Sequence, residues 1–356
     1  MKRLIFSITI LGAVIAFSGC KKSLLDINQN PNSASYSTPQ LTMPVALENA
    51  ARIANTSYVS LGFWVGYYST SAGYAKPVET YTYDITSSFE ASVWDNLYNN
   101  LEDINYVEQK AKDQKLPVYE AIAKVMKAYD YHQLVDLWGK VPYTEALKGP
   151  GNLSPKYDDG QAIYEDLVKK IDTAVALFKQ PATALSVNAS VDAVKILLFG
   201  SLITSADVPT FLNQWIKFAN TLKLKLLVQQ SQIPGRDAYI KQNLLGLTSA
   251  DFLGLGDDAL INPGYTKASN QLSPLYGYYY TSYQAAGDNY KSTVASSYAV
   301  SSYLTTNDTR IGYFYTKDPG VATYLGSVFG DPTGTPKSAS IGAPILDPTG
   351  SSVIMT

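Results

Sequence analysis

One cysteine and one histidine among 356 residues remove much of the chemistry a chain of this length could carry. Cys20 has no partner for an intrachain disulfide. His132 leaves a histidine-rich zinc site and most Ser-His-Asp arrangements resting on one side chain, and its place in a helical stretch reads as structural. Charge of either sign is scarce in excess, the net being −2. That gives no electrostatic case for nucleic acid or an anionic membrane surface. Phenylalanine is outnumbered by tyrosine, 11 to 28. Since Phe only packs whereas Tyr carries a hydroxyl that prefers a wet or hydrogen-bonded setting, the imbalance suggests aromatic surface in contact with water.

What is present begins at the amino end. Lys2 and Arg3 precede an apolar run from Leu4 to Phe17, closed by Ser18-Gly19-Cys20. The run falls short of the ~20 residues a membrane-spanning helix needs, so residues 1–19 read as a cleaved secretory signal. A Cys directly after a small residue looks like a bacterial lipobox, with Phe17 where Leu is usual. Lipidation of Cys20 by several acyl chains would hold the protein stably on a membrane.

Residues 20–40, with Asn28, Asn30, Pro31 and Asn32, lack a sustained apolar period and read as a lipidated tether and opening loop. Helical spacing governs 41–234. Ser87 and Glu90 match a capping box before the stripe Val93, Leu97, Leu101, Ile104. Pro117 suits the first turn of a helix carrying Val118, Ile122, Val125 and Tyr129, which Gly139 and Pro142 stop. Asp159 can cap a third helix with Ile163, Leu167, Ile171, Ala174 and Phe178, and Asn213 a fourth with Trp215, Ala219, Leu222 and Leu226. Such pairs suggest tetratricopeptide-like hairpins, although the repeat consensus is not visible. From 235 to 356 the texture turns to Gly, Ser, Thr, Asn and Tyr with turns at Asn262-Pro263-Gly264, Asn307-Asp308 and Gly330-Asp331-Pro332. Long irregular stretches are usually functional, so the ligand-binding region is expected here.

Four stretches stand out: Asp26-Ile27-Asn28-Gln29-Asn30-Pro31-Asn32, Tyr129 to Ala146, Trp215 to Leu226, and Asn307-Asp308-Thr309-Arg310. Together they resemble the SusD/RagB family of outer-membrane nutrient-binding lipoproteins, the first being similar to the mature start of one branch. Tyr129 to Ala146 looks like the family's helix, Gly-x-Val-Pro-Tyr turn (Gly139 to Tyr143) and Glu-Ala (Glu145-Ala146). Trp215 to Leu226 resembles its Trp-x-x-x-Ala-Asn-x-Leu-x-x-Arg-Leu helix, with Lys225 in place of Arg. Asn307-Asp308-Thr309-Arg310 resembles Asn-Asp-Pro-Arg, with Thr for Pro. Lys21-Lys22-Ser23 lacks the acidic residues often found after the lipidated Cys of surface-exported members. Val353-Ile354-Met355-Thr356 looks like the start of a later family helix, so the family's final helices are expected to be missing from this chain. The resemblance implies a mainly α fold of helical hairpins with an irregular, loop-rich binding part. It also implies a SusC-type TonB-dependent transporter as partner, an outer-membrane location through the lipid anchor, and no cofactor.

Sugars are neutral and hydroxyl-rich with apolar C–H faces, so a binder needs flat aromatic rings beside amides and hydroxyls. Tyr276, Tyr278, Tyr279, Tyr280 and Tyr283 with Gln284 and Asn289 supply that mixture; if the stretch is a strand, about half of the rings share a face. The same pattern would also suit a half-buried strand with Tyr as packing. Tyr74 and Tyr81 are candidates for a pocket edge, while Trp64 reads as core packing. Gly256-Asp257-Asp258 and Asp158-Asp159-Gly160 could suggest calcium, yet turns or helix caps explain them more simply. Thirty acidic residues would bring some pair within ~5–9.5 Å in any fold, so counting them does not establish a glycosidase. The expectation is a non-enzymatic glycan-binding lipoprotein, with an exported glycoside hydrolase or a peptide-binding scaffold as the alternatives.

Overall fold

The computed structural model describes residues 37–180, 208–318, 320–331, 346–350 and 352–355. Cys20, residues 26–32 and Pro332 lie outside the described residues. Helix α1 (Pro39–Thr56) starts on a proline, whose missing N–H is no loss in the first turn. A short α2 (Val59–Trp64), strand β1 (Tyr68–Thr70) and single-turn α3 (Val78–Thr82) lead to the first long pair. That pair is α4 (Ala91–Asp113) and α5 (Pro117–Trp138), a hairpin closed by Gln114–Leu116.

The apolar spacing decides what these helices bury. Val93, Leu97, Leu101 and Ile104 of α4 and Val118, Ile122 and Val125 of α5 are at most 1% exposed. Helix α5 is enclosed on nearly every side, so its polar side chains must find partners inside. Lys124 Nζ lies 2.7 Å from Glu108 Oε1, the Tyr58 hydroxyl donates to Gln133 at 2.6 Å, and the Asn100 amide donates to Asp130 at 2.8 Å.

Gly139 ends α5 at φ +72°, a region that glycine enters without a Cβ penalty. The chain then runs through β2 (Val141–Pro142), antiparallel to β3 (Tyr157–Asp158). Asp159 caps α6 (Gly160–Phe178) by accepting the N–H of Gln161 at 3.0 Å and of Ala162 at 3.4 Å. A Cβ at residue 160 would meet the Gly139 carbonyl oxygen at 2.5 Å, so glycine there lets α5 and α6 close up. Helix α7 (Val208–Val228) follows, and the long helices pack in chain order: α1 on α4, α4 on α5, α5 on α6, α6 on α7. The fold is mainly α, a stack of helical hairpins.

Two helix starts differ from the sequence expectation. Glu90 stands at φ +54°, outside helical space, and α4 begins at Ala91 without a capping box. Its carboxylate instead accepts the Ser60 hydroxyl, a tertiary contact that local spacing does not reveal. Asn213 lies inside α7, because Phe211 and Leu212 are buried and extend the apolar stripe back to Val208.

After α7 the elements are short: α8 (Asp237–Leu244), β4 (Ala259–Ile261), α9 (Pro274–Tyr279), β5 (Tyr280–Ser282), β6 (Ala285–Ala286), α10 (Asp288–Ser292), β7 (Thr293–Ala295), α11 (Ser297–Thr305), α12 (Ile311–Phe314) and β8 (Ser352–Met355). Their strands form two-stranded antiparallel ribbons, β5 with β6, β4 with β8, and β7 with β1. The last of these ties the region after residue 235 back to the segment that follows α2. From Thr38 onward the chain is one compact unit. Among the described residues no helix is long and apolar enough to cross a membrane.

Candidate functional site

The tyrosine-rich stretch is a helical turn before it is a strand. Pro274 opens α9, and Ser273 fixes its start by donating its N–H to Pro348 O at 2.9 Å and its hydroxyl to Asp347 O at 2.6 Å. Tyr276 and Tyr279 point inward, 5% and 2% exposed, so neither offers a ring to solvent. The helical geometry, and not the strand alternation expected above, sorts these rings. Tyr276 backs the surface instead: Tyr280 stacks on it at 4.4 Å and 15°, and its hydroxyl accepts the Gln284 N–H at 3.0 Å.

Tyr278 and Tyr280 line an open cleft of about 710 Å³ between α1 and residues 263–281. Tyr265, Gln271, Arg52 and Glu48 share it. Arg52 Nη2 lies 2.7 Å from Glu48 Oε1, one helical turn apart on α1, and the Tyr265 hydroxyl reaches the same carboxylate oxygen at 3.4 Å. Burial raises the Tyr278 and Tyr280 hydroxyls above their ordinary range, so both remain neutral donors at any physiological pH. The cleft thus offers ring faces, an amide, hydroxyls and a pre-formed Arg–carboxylate pair. Glu48 is the single carboxylate among its described lining residues.

The other sequence candidates fall elsewhere. Tyr283, 38% exposed, carries the Lys267 ammonium 4.6 Å over its ring and accepts the Gln284 side-chain amide at 3.3 Å. Asn289 donates its amide to Tyr278 O at 2.9 Å, bracing the cleft from behind. Tyr81 is packed, stacked on Phe329 at 4.4 Å, with its hydroxyl accepting the Thr70 N–H at 2.7 Å. Tyr74 is half-buried beside β1. Trp64 is half-buried, stacked on both Tyr83 and Phe89, and donates its indole N–H to Thr80 O.

His132 is 1% exposed and lines none of these surfaces; burial, with the Lys225 charge second, holds its pKa down to about 4. Asp257 takes Lys217 at 2.7 Å, Asp158 takes the Thr144 N–H, and Asp159 is a helix cap. Sequence reasoning missed Glu48, Arg52, Tyr265 and Gln271. The four-residue spacing of Glu48 and Arg52 was the available signal.

The stack of helical hairpins thus carries an open aromatic cleft in its irregular part. The family described as "Starch-binding associating with outer membrane" matches residues 31–346, and the chain belongs to this SusD-like family. Solved structures share the fold. A SusD/RagB family protein from Bacteroides thetaiotaomicron superposes with TM-score 0.70 at 17% identity, over 90% of this chain and 65% of that one. A SusD homologue from Bacteroides uniformis gives 0.64 at 18%, over 88% and 63%. A chitin-binding SusD homologue from Flavobacterium johnsoniae gives 0.65 at 18%, over 89% and 63%. The chain therefore spans somewhat less than two thirds of the length of these structures. No curated protein matches it.

Proposed function

We propose that this chain is a non-catalytic glycan-binding protein that captures oligosaccharide at the outer membrane and hands it to a SusC-type TonB-dependent transporter. The observation that carries the reading is the cleft, where Tyr278 and Tyr280 present ring faces beside Gln271, Tyr265 and the Arg52–Glu48 pair. Stacking of C–H faces on the rings would supply affinity, and the amide and charged pair would orient the hydroxyls. A lone carboxylate in the cleft, already held by Arg52, supports binding over hydrolysis, which needs two. The same reading assigns residues 1–19 to a leader, 20–40 to a tether lipidated at Cys20 that displays the protein at the outer-membrane surface, 41–234 to the scaffold and 235–356 to ligand binding.

Affinity electrophoresis in gels containing single polysaccharides tests it. Retardation by at least one glycan, with no release of reducing ends, is the expected result. Release of reducing ends would make the chain a hydrolase, and migration unchanged in every gel would leave a protein-binding scaffold.

A further inference from the structure

A second aromatic concavity lies away from the cleft. Tyr67 and Tyr68 enter β1, whose antiparallel partner β7 sets Ala295 opposite Tyr68. From β7 the chain runs directly into α11 and α12, bringing Tyr303, Phe314 and Tyr315 round to face them. Together these five rings line a cup of about 260 Å³, more enclosed than the cleft. The Tyr315 hydroxyl donates to the Tyr67 carbonyl at 2.9 Å, which holds the two walls together. Tyr303 sits 6.1 Å from Phe314 and 6.2 Å from Tyr315, ring centre to ring centre. Tyr315, 3% exposed, forms the floor, and Tyr67, 53% exposed, the rim.

Size and charge together say what fits. The volume lies below the ~300–1,000 Å³ of pockets that hold drug-sized ligands, so it suits a single ring. Among the described residues no charged side chain lines the cup. Arg310, close by in sequence but outside the lining, is paired with Asp308 at 2.5 Å. A carboxylate or sulfate entering here would lose water and find no cation, a heavy penalty. In the cleft Arg52 is the one cation among the described lining residues, and Glu48, 2.7 Å away, offsets its charge.

We propose that the cup of Tyr67, Tyr68, Tyr303, Phe314 and Tyr315 is a second subsite that takes one uncharged sugar ring, so that the protein selects neutral glycans over those bearing uronate or sulfate. The proposal rests on the reading that the ligand is a glycan.

Calorimetry on the full chain tests it with malto-, cello-, xylo- and chito-oligosaccharides. The strongest binder that carries a C6 hydroxyl is compared with its own C6-oxidised, uronate form. Oxidation is expected to weaken binding by at least about tenfold, close to 1.4 kcal/mol. Tyr67→Ala and Tyr303→Ala are each expected to weaken the neutral ligand about tenfold, while Tyr303→Phe, which keeps the ring, retains most of the affinity. Thermal melts matching the parent show that the variants fold; Tyr67 sits on the rim and its carbonyl, which holds Tyr315, survives the change. Equal or tighter binding of the oxidised form overturns the selection for neutral sugars while glycan binding stands. Unchanged affinity in both alanine variants overturns the cup. If no oligosaccharide of any kind binds, the glycan reading falls and takes this proposal with it.

Discussion

Asp130 is a carboxyl group with no exposed surface, one hydrogen bond from Asn100 and an Oδ1 atom without a partner. Burial lifts its pKa to about 7, with the Asn100 bond pulling the other way. Because the folded value lies above the unfolded one, Asp130 favours the fold below pH 4 and loses that contribution as pH rises toward 7. His132, two residues on, does the reverse: held near 4, it must shed its proton to fold, so stability falls as pH drops from 6.5 to about 4. The two slopes oppose each other in the same window. Asp130→Asn, which removes the buried charge and keeps an acceptor for the Asn100 amide, is expected to raise stability at pH 8 by up to about 4 kcal/mol. It should also uncover a rise in melting temperature from pH 4 to 6.5. Melting curves at pH 4.5, 6 and 8 check both; an unchanged melting temperature at pH 8 would mean that Asp130 is solvated in a way its burial denies.

Among the elements, the long helices were legible because burial imposes one period on the sequence. Val93 to Ile104, Ile163 to Phe178 and Trp215 to Leu226 could be read as stripes before any contact was known. Leu101→Ala in α4 should accordingly cost about 2–5 kcal/mol by denaturant unfolding, since the side chain is wholly enclosed. Their starts were less legible, since a cap competes with tertiary partners. Asp159 caps as its sequence suggests, whereas Glu90 is drawn to Ser60. Asp159→Ala is expected to cost about 1 kcal/mol. Gly160→Ala should cost more, about 1–3 kcal/mol, because its methyl meets the Gly139 carbonyl and one helix must move. Equal costs in urea titrations would show that the α5–α6 approach is slack.

For the whole molecule, composition announced a tyrosine surface but could not say which rings stay wet. Tyr276 and Tyr280 differ by one turn of chain, yet one is sealed beneath the other, because Pro274 makes the stretch helical before it becomes a strand. The partners of Tyr278 and Tyr280 come from α1, more than two hundred residues earlier in the chain, and no local pattern joins Arg52 to Gln271. The family fold, by contrast, was carried by motifs with structural causes, such as Gly139 at positive φ and the Trp215 helix. The central claim, that the half-buried rings lining the cleft hold sugar without transforming it, is met most directly by titrating the full chain and its Tyr278→Ala/Tyr280→Ala variant with a glycan that retards it. The account predicts saturable binding by the parent, a loss of at least about tenfold in the variant, and no new reducing ends in either cell. Full affinity in a folded variant, or sugar released during the titration, would contradict it.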